Sequence, residues 1–126
     1  MSIQSSADIV MVRQAVRKLA VELGFSLVDQ TKIVTAASEL ARNTLDYGGG
    51  GTVQLEGLQE GIRKGLRLTF EDSGPGIPDI DLALKDGYTT GGGLGMGLSG
   101  TKRLVNEFDI FSRVGEGTRI TITKWR

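Results

Sequence analysis

A chain of 126 residues is long enough for one domain with a real core and too short for two. Its 15 Lys and Arg balance its 15 Asp and Glu, so no net basic field directs it to nucleic acid or to a membrane surface. The absence of Cys removes disulfides and thiolate chemistry, and the absence of His leaves any acid–base work to Asp, Glu, Lys or Tyr.

The first residues, Met1 to Asp8, lack the charged start and apolar run of a signal peptide, and no segment approaches ~20 unbroken apolar residues. The expectation is a soluble, cytoplasmic, single domain spanning 1–126. Glycine is the outlier, 19 residues against a usual share of about 7%. The glycines cluster at Gly48 to Gly51, at Gly74 and Gly76, and between Gly87 and Gly100, the pattern of working loops on a folded scaffold.

Ser2 to Ser5 reads as a short first strand. Asp8 caps a first helix whose apolar positions Val12, Val16, Leu19, Ala20 and Leu23 recur at three and four, and Gly24 ends it. Ser26 or Asp29 opens a second helix with Ile33, Ala36, Ala37, Leu40 and Thr44 on its core face, ending at Tyr47. Thr52 to Gly57 alternates as a strand, Gly57 to Gly65 is a charged hairpin connection, and Leu66 to Glu71 is the next strand. Ile80 to Leu84 is a short helical turn, Gly91 to Gly95 a loop, and Leu98 to Glu107 a third helix. Phe108 to Arg113 and Thr118 to Lys124 are strands joined by the turn Val114 to Gly117. Short turns between consecutive strands imply antiparallel pairing. The fold class is α+β, a two-layer sandwich with a mixed, mostly antiparallel sheet and helices on one face.

Three stretches carry chemistry. In Glu71-Asp72-Ser73-Gly74-Pro75-Gly76-Ile77-Pro78 a strand ends in a carboxylate beside glycine backbone that a flat ligand could approach; an ordinary tight turn is the alternative. Glu39 and Asn43 lie one helical turn apart on one face, at the border of the apolar stripe. Such a pair suits a divalent ion and an activated hydroxyl, or else it is a solvated helix face. The third stretch, Gly91 to Lys102, holds Gly95-x-Gly97-x-x-Gly100, but no strand runs into it as a dinucleotide fingerprint requires. A phosphate-binding P-loop fails as well, because Thr101 occupies the lysine position. What remains is a glycine stretch leading into a helix start, whose free amides suit phosphate.

Taken in order, Glu39-x-x-x-Asn43, Asp72-x-Gly74-x-Gly76 and Gly93-Leu94-Gly95-Met96-Gly97-Leu98 resemble the N-box and the two glycine boxes of the Bergerat-fold (GHKL) ATPases. Ser38 to Asn43 and Gly97 to Leu104 resemble the anti-sigma-factor-type serine/threonine kinases, in particular the RsbT-like switch kinases. The resemblance covers nearly the whole chain.

The resemblance implies ATP and Mg as cofactors and a role for each matched residue. Asp72 would accept the adenine amino proton, with Gly74, Gly76 and Ile77 around the base and Thr118 supporting that end. Asn43 would hold Mg against the phosphates, and Glu39 would be the general base. Gly93, Leu94, Gly95, Met96, Gly97, Leu98 and Ser99 would wrap the triphosphate. Asp46-Tyr47 stands where many relatives have histidine, and Lys85 or Lys102, or Arg103, is left as the phosphate-contacting cation. The implied function is a protein serine/threonine kinase in bacterial stress-response partner switching. Its partners would be a STAS-domain antagonist or scaffold as substrate and a PP2C-type phosphatase activated by the released kinase, with neither nucleic acid nor membrane involved. The rival reading is a nucleotide-dependent, anti-sigma-factor-like binding module that holds a protein partner with little or no turnover.

Overall fold

A computed structural model describes residues 1–77, 79, 80, 84 and 97–126. Helix α1 (Ser6–Glu22) starts two residues before the expected Asp8. Asp8 does not cap it; its carboxylate reaches back to accept the Gln4 N–H at 2.8 Å, and the acid in the first turn suits the helix dipole. The helix buries Ile9, Val12, Val16 and Ala20. It closes as a Schellman motif, Gly24 donating to Val21 and Phe25 to Ala20, with Gly24 at φ 80° and Phe25 buried.

Helix α2 (Leu27–Asp46) is capped by Ser26, which accepts the Asp29 N–H at 3.2 Å. Ile33, Ala36, Ala37, Leu40 and Thr44 are buried as the spacing requires, joined by Val34 and Ala41. The Thr44 hydroxyl donates to the Leu40 carbonyl at 2.9 Å, so its burial leaves no orphan donor.

The sheet comprises β1 (Ser2–Ile3), β2 (Gly51–Glu60), β3 (Arg63–Asp72), β4 (Glu107–Arg113) and β5 (Gly117–Trp125). Its order is β1-β2-β3-β5-β4, and every pair among the described residues is antiparallel. Leu66, Leu68 and Phe70 of β3 and Ile120 and Ile122 of β5 form one buried core with the helices. Arg67, Thr69 and Glu71 point to the opposite face, beside Thr123, Thr121 and Arg119. Lys124 also lies on the covered face. Buried there, its ammonium lies 3.6 Å from the Asp29 carboxylate at the start of α2.

The fold is the α+β sandwich expected, with three boundary corrections. Gly57 to Gly65 is the hairpin expected but with a shorter connection: β2 and β3 pair continuously from Gly51↔Asp72 to Glu60↔Arg63, around the two-residue turn Gly61-Ile62. Gly61 takes φ 63°, the positive φ such a hairpin needs at its first central position. The third helix, α3 (Gly97–Arg103), stops short of the expected Glu107. Asn106 is captured by β5 through its N–H to Thr123 (3.0 Å) and its side-chain oxygen from Trp125 N–H (2.7 Å), which starts β4 at Glu107. β1 covers only Ser2–Ile3 of the expected 2–5. Of the expected turn at 80–84, Leu84 N–H donates to the Ile80 carbonyl at 3.0 Å. Residues 81–83 and the loop Gly91 to Gly95 lie outside the described residues.

Candidate functional site

Where α2 ends against the C-terminal end of β3, the two layers part into a cleft. It is lined by Asn43, Thr44 and Tyr47 of α2 and its cap, Phe70 and Asp72 of β3, Ile77, Leu98 of α3, and Thr118 and Ile120 of β5. Phe70, Ile77, Leu98 and Ile120 supply apolar walls, while Asn43, Asp72 and Thr118 supply hydrogen-bonding groups. That combination fits a flat ring with a polar edge.

Asp72 is the last residue of β3 and its carboxylate is fixed by backbone. Oδ1 accepts the Gly74 N–H at 2.9 Å, and the Thr118 N–H also donates to the carboxylate. A carboxylate has about four acceptor sites, so capacity remains for a ligand donor. Burial pushes the Asp72 carboxyl above its ordinary range, and the Gly74 and Thr118 N–H groups pull it part of the way back.

The turn after Asp72 is pinned from two sides. On the α2 side, Gly48 and Gly74 touch backbone to backbone: a Cβ on Gly74 would lie 2.7 Å from Gly48 Cα, and one on Gly48 2.5 Å from Asp72 Cβ. The Tyr47 hydroxyl donates to the Gly76 carbonyl at 3.2 Å. On the β4–β5 side, Gly115 N–H donates to the Pro75 carbonyl (2.8 Å) and Ile77 N–H to Ser112 Oγ (2.7 Å). Gly76 itself is at φ 78° with its Cα facing the Arg113 carbonyl, so no side chain fits there.

Of the residues singled out in the sequence, the fold brings Asn43, Asp72, Ile77, Leu98 and Thr118 into one cleft, with Gly74 and Gly76 in the turn that shapes it. Glu39 is half-buried one turn before Asn43 on α2 and does not line the described cleft. Gly97 and Ser99 are buried in α3, whereas Lys102 and Arg103 are exposed in its last turn. Lys85, Gly93, Leu94, Gly95 and Met96 lie outside the described residues. Thr44, Tyr47, Phe70, Ile120 and Ser112 join the site without having been named for it. Phe70 and Ile120 read as ordinary core, and Ser112 carries no signal until β4 is registered against β5.

Comparison with known proteins agrees with this geometry. Residues 28–126 match the family model described as histidine kinase-, DNA gyrase B-, and HSP90-like ATPase. The chain is 51% identical over 123 residues to the serine/threonine-protein kinase RsbT of Bacillus subtilis, covering 98% of this chain and 92% of that protein. It is 30% identical to the anti-sigma F factor of Anoxybacillus flavithermus, covering 89% of this chain and 80% of that one. Two solved structures share the fold at low identity. The RsbU and RsbW domains of a Mycobacterium tuberculosis protein match at TM-score 0.68 and 23% identity, over 100% of this chain and 32% of that one. The mycobacterial sensor histidine kinase MprB matches at TM-score 0.60 and 16% identity, over 99% of this chain and 95% of that one. The chain therefore belongs to the histidine kinase-, gyrase B- and HSP90-like ATPase family, in the same group as RsbT and the anti-sigma F factors.

Proposed function

We propose that the chain is a cytoplasmic, Mg-ATP-dependent protein serine/threonine kinase of a partner-switching pathway. Its substrate is a serine or threonine on a STAS-domain antagonist or scaffold, and the released kinase activates a PP2C-type phosphatase. One observation carries the reading: three distant segments bring Asn43, Asp72 and Thr118 to a single apolar-walled cleft, in a chain 51% identical to RsbT.

In this reading the purine lies between Phe70, Ile77, Leu98 and Ile120, and Asp72 accepts from its amino group. Thr118 supports the same edge, and Gly74 and Gly76 leave room for the ring. The glycine-rich segment from Gly93 through Ser99 is assigned the triphosphate, with Lys85 or Lys102 as the candidate cation. Among the described residues no group of three His, Cys, Asp or Glu side chains is placed to hold a metal. The Asn43 amide at the cleft instead fits an ion carried largely by phosphate oxygens, as Mg²⁺ is where it meets few protein ligands. Mg²⁺ would supply charge neutralisation at the phosphates. Glu39 takes the proton of the acceptor hydroxyl as its oxygen bonds to the γ-phosphorus and ADP leaves. Phosphoryl transfer is chiefly positioning and charge neutralisation, so a His-free site suffices.

The test is transfer of label from γ-labelled ATP to candidate STAS proteins. Glu39→Ala is expected to lower the rate about 10²–10⁴-fold, the usual share of a general base, while ATP affinity stays near wild type. Undiminished labelling would remove Glu39 from that role. The anti-sigma F relatives give the second reading its basis: ATP-dependent capture of a partner without phosphoserine would mark a binding module instead.

A further inference from the structure

The hydrogen bonds around Ser112 decide which way a neighbouring hydroxyl points. Ser112 sits on β4 directly opposite Thr118 on β5. Its Oγ has three neighbours: Ile77 N at 2.7 Å, the Gly117 carbonyl oxygen at 3.0 Å and Thr118 Oγ1 at 2.8 Å. A serine hydroxyl offers one proton and two lone pairs. Ile77 N–H can only donate, so it takes one lone pair. The Gly117 carbonyl can only accept, so it takes the single proton. Thr118 must then give its own proton to the remaining lone pair of Ser112. Its Oγ1, on a residue only 8% exposed, is left with lone pairs alone at the cleft it lines.

Asp72 beside it is likewise an acceptor, so this end of the cleft offers acceptors and no hydroxyl donor. We infer that Ser112 is a specificity-determining positioning residue: by fixing the proton of Thr118 it makes the site accept a 6-amino purine and reject a 6-oxo purine. The inference rests on the nucleotide reading above, with the purine 6-substituent at the Asp72–Thr118 end. An amino group there donates to waiting acceptors. A carbonyl oxygen would face lone pairs from both, and a buried polar site rejects a ligand that leaves its groups unpaired. Ser112 touches no ligand in this scheme and acts through Thr118.

The experiment is calorimetric titration of the whole chain with Mg-ATP and Mg-ITP, which differ in the 6-substituent and in the proton that the 6-oxo base carries on N1. Wild type is expected to prefer ATP. Ser112→Ala frees the Thr118 hydroxyl to turn and donate, so ITP binding should strengthen while ATP binding weakens. The ATP-to-ITP ratio should fall about tenfold, the weight of roughly one net hydrogen bond. Ser112→Cys, close in volume but a weak donor and acceptor, should shift the ratio the same way if the alanine variant does not fold. Ser112→Thr, which keeps the hydroxyl, should restore it. Equal weakening of both nucleotides in the Ala and Cys variants would overturn the role of Ser112 and leave the ATP reading standing. A wild type that binds neither nucleotide would overturn both.

Discussion

Asp72 keeps its proton to a higher pH than an ordinary aspartate because its carboxyl is partly withdrawn from water, and two backbone N–H groups recover only part of that loss. The sign for stability follows. Above the unfolded-state value, about pH 4, the unfolded chain has released this proton while the folded chain still holds it. The contribution of Asp72 to stability is therefore largest in acid, falls as pH rises through its folded value, and is flat beyond it. Asp72→Asn removes that dependence. In thermal melts without nucleotide, the Tm of the variant relative to wild type should move in the variant's favour as pH rises from about 4 and then level off. ATP affinity shows the opposite trend. It should weaken as the solution is acidified and the acceptor is protonated, beginning at a higher pH than an ordinary aspartate would give. A carboxylate whose placement costs stability but which offers an acceptor at a cleft is the signature of a group kept for binding.

Among the elements, the contact between the end of α2 and the turn after β3 has little slack. Gly48→Ala would place a methyl group 2.5 Å from Asp72 Cβ, an atom that no side-chain rotation moves, so the carboxylate and the backbone of the two segments must both shift. The expectation is a loss of ATP affinity of about tenfold or more together with a stability loss of about 1–3 kcal/mol, read by titration and by melting of one sample. A Tm collapse with unchanged affinity in the folded fraction would contradict it.

The helices were legible in the sequence because their buried positions recur at three and four and their ends carry Ser26 and Gly24, residues with specific capping chemistry. The hairpin was legible too, but the full length of its strands was not. Its outer half, Glu56 to Lys64, extends past the core with most of its side chains exposed, Ile62 at its tip being 97% exposed. No apolar alternation marks a strand whose two faces are both wet. Asn43, Asp72 and Thr118 were visible because each stands in a recognisable motif. Ser112 was not, because its meaning lies in a register between strands. Lys124 was hidden by the same limit: only the packed fold shows a strand lysine turned inward to meet Asp29.

The whole molecule has two unlike faces, and they should respond differently to substitution. Leu68→Ala, at a fully buried position of the central strand, should cost about 2–5 kcal/mol in denaturant unfolding. Gln54→Ala, on an exposed position of the neighbouring strand, should stay within about 0.5 kcal/mol. Similar losses at the two positions would mean that the polar face is covered in solution.

The central β3 meets β5, the final strand of the fold, along its length, so that Asp72 lies across from Thr118. A growing polypeptide on the ribosome accordingly lacks the Thr118 half of the cleft's polar edge until β5 emerges and zips onto β3, a long-range pairing of the kind that forms slowly. Fragments lacking β5 should be silent towards nucleotide, and competence should switch on in one step, making ATP capture a reporter of β5 docking onto β3.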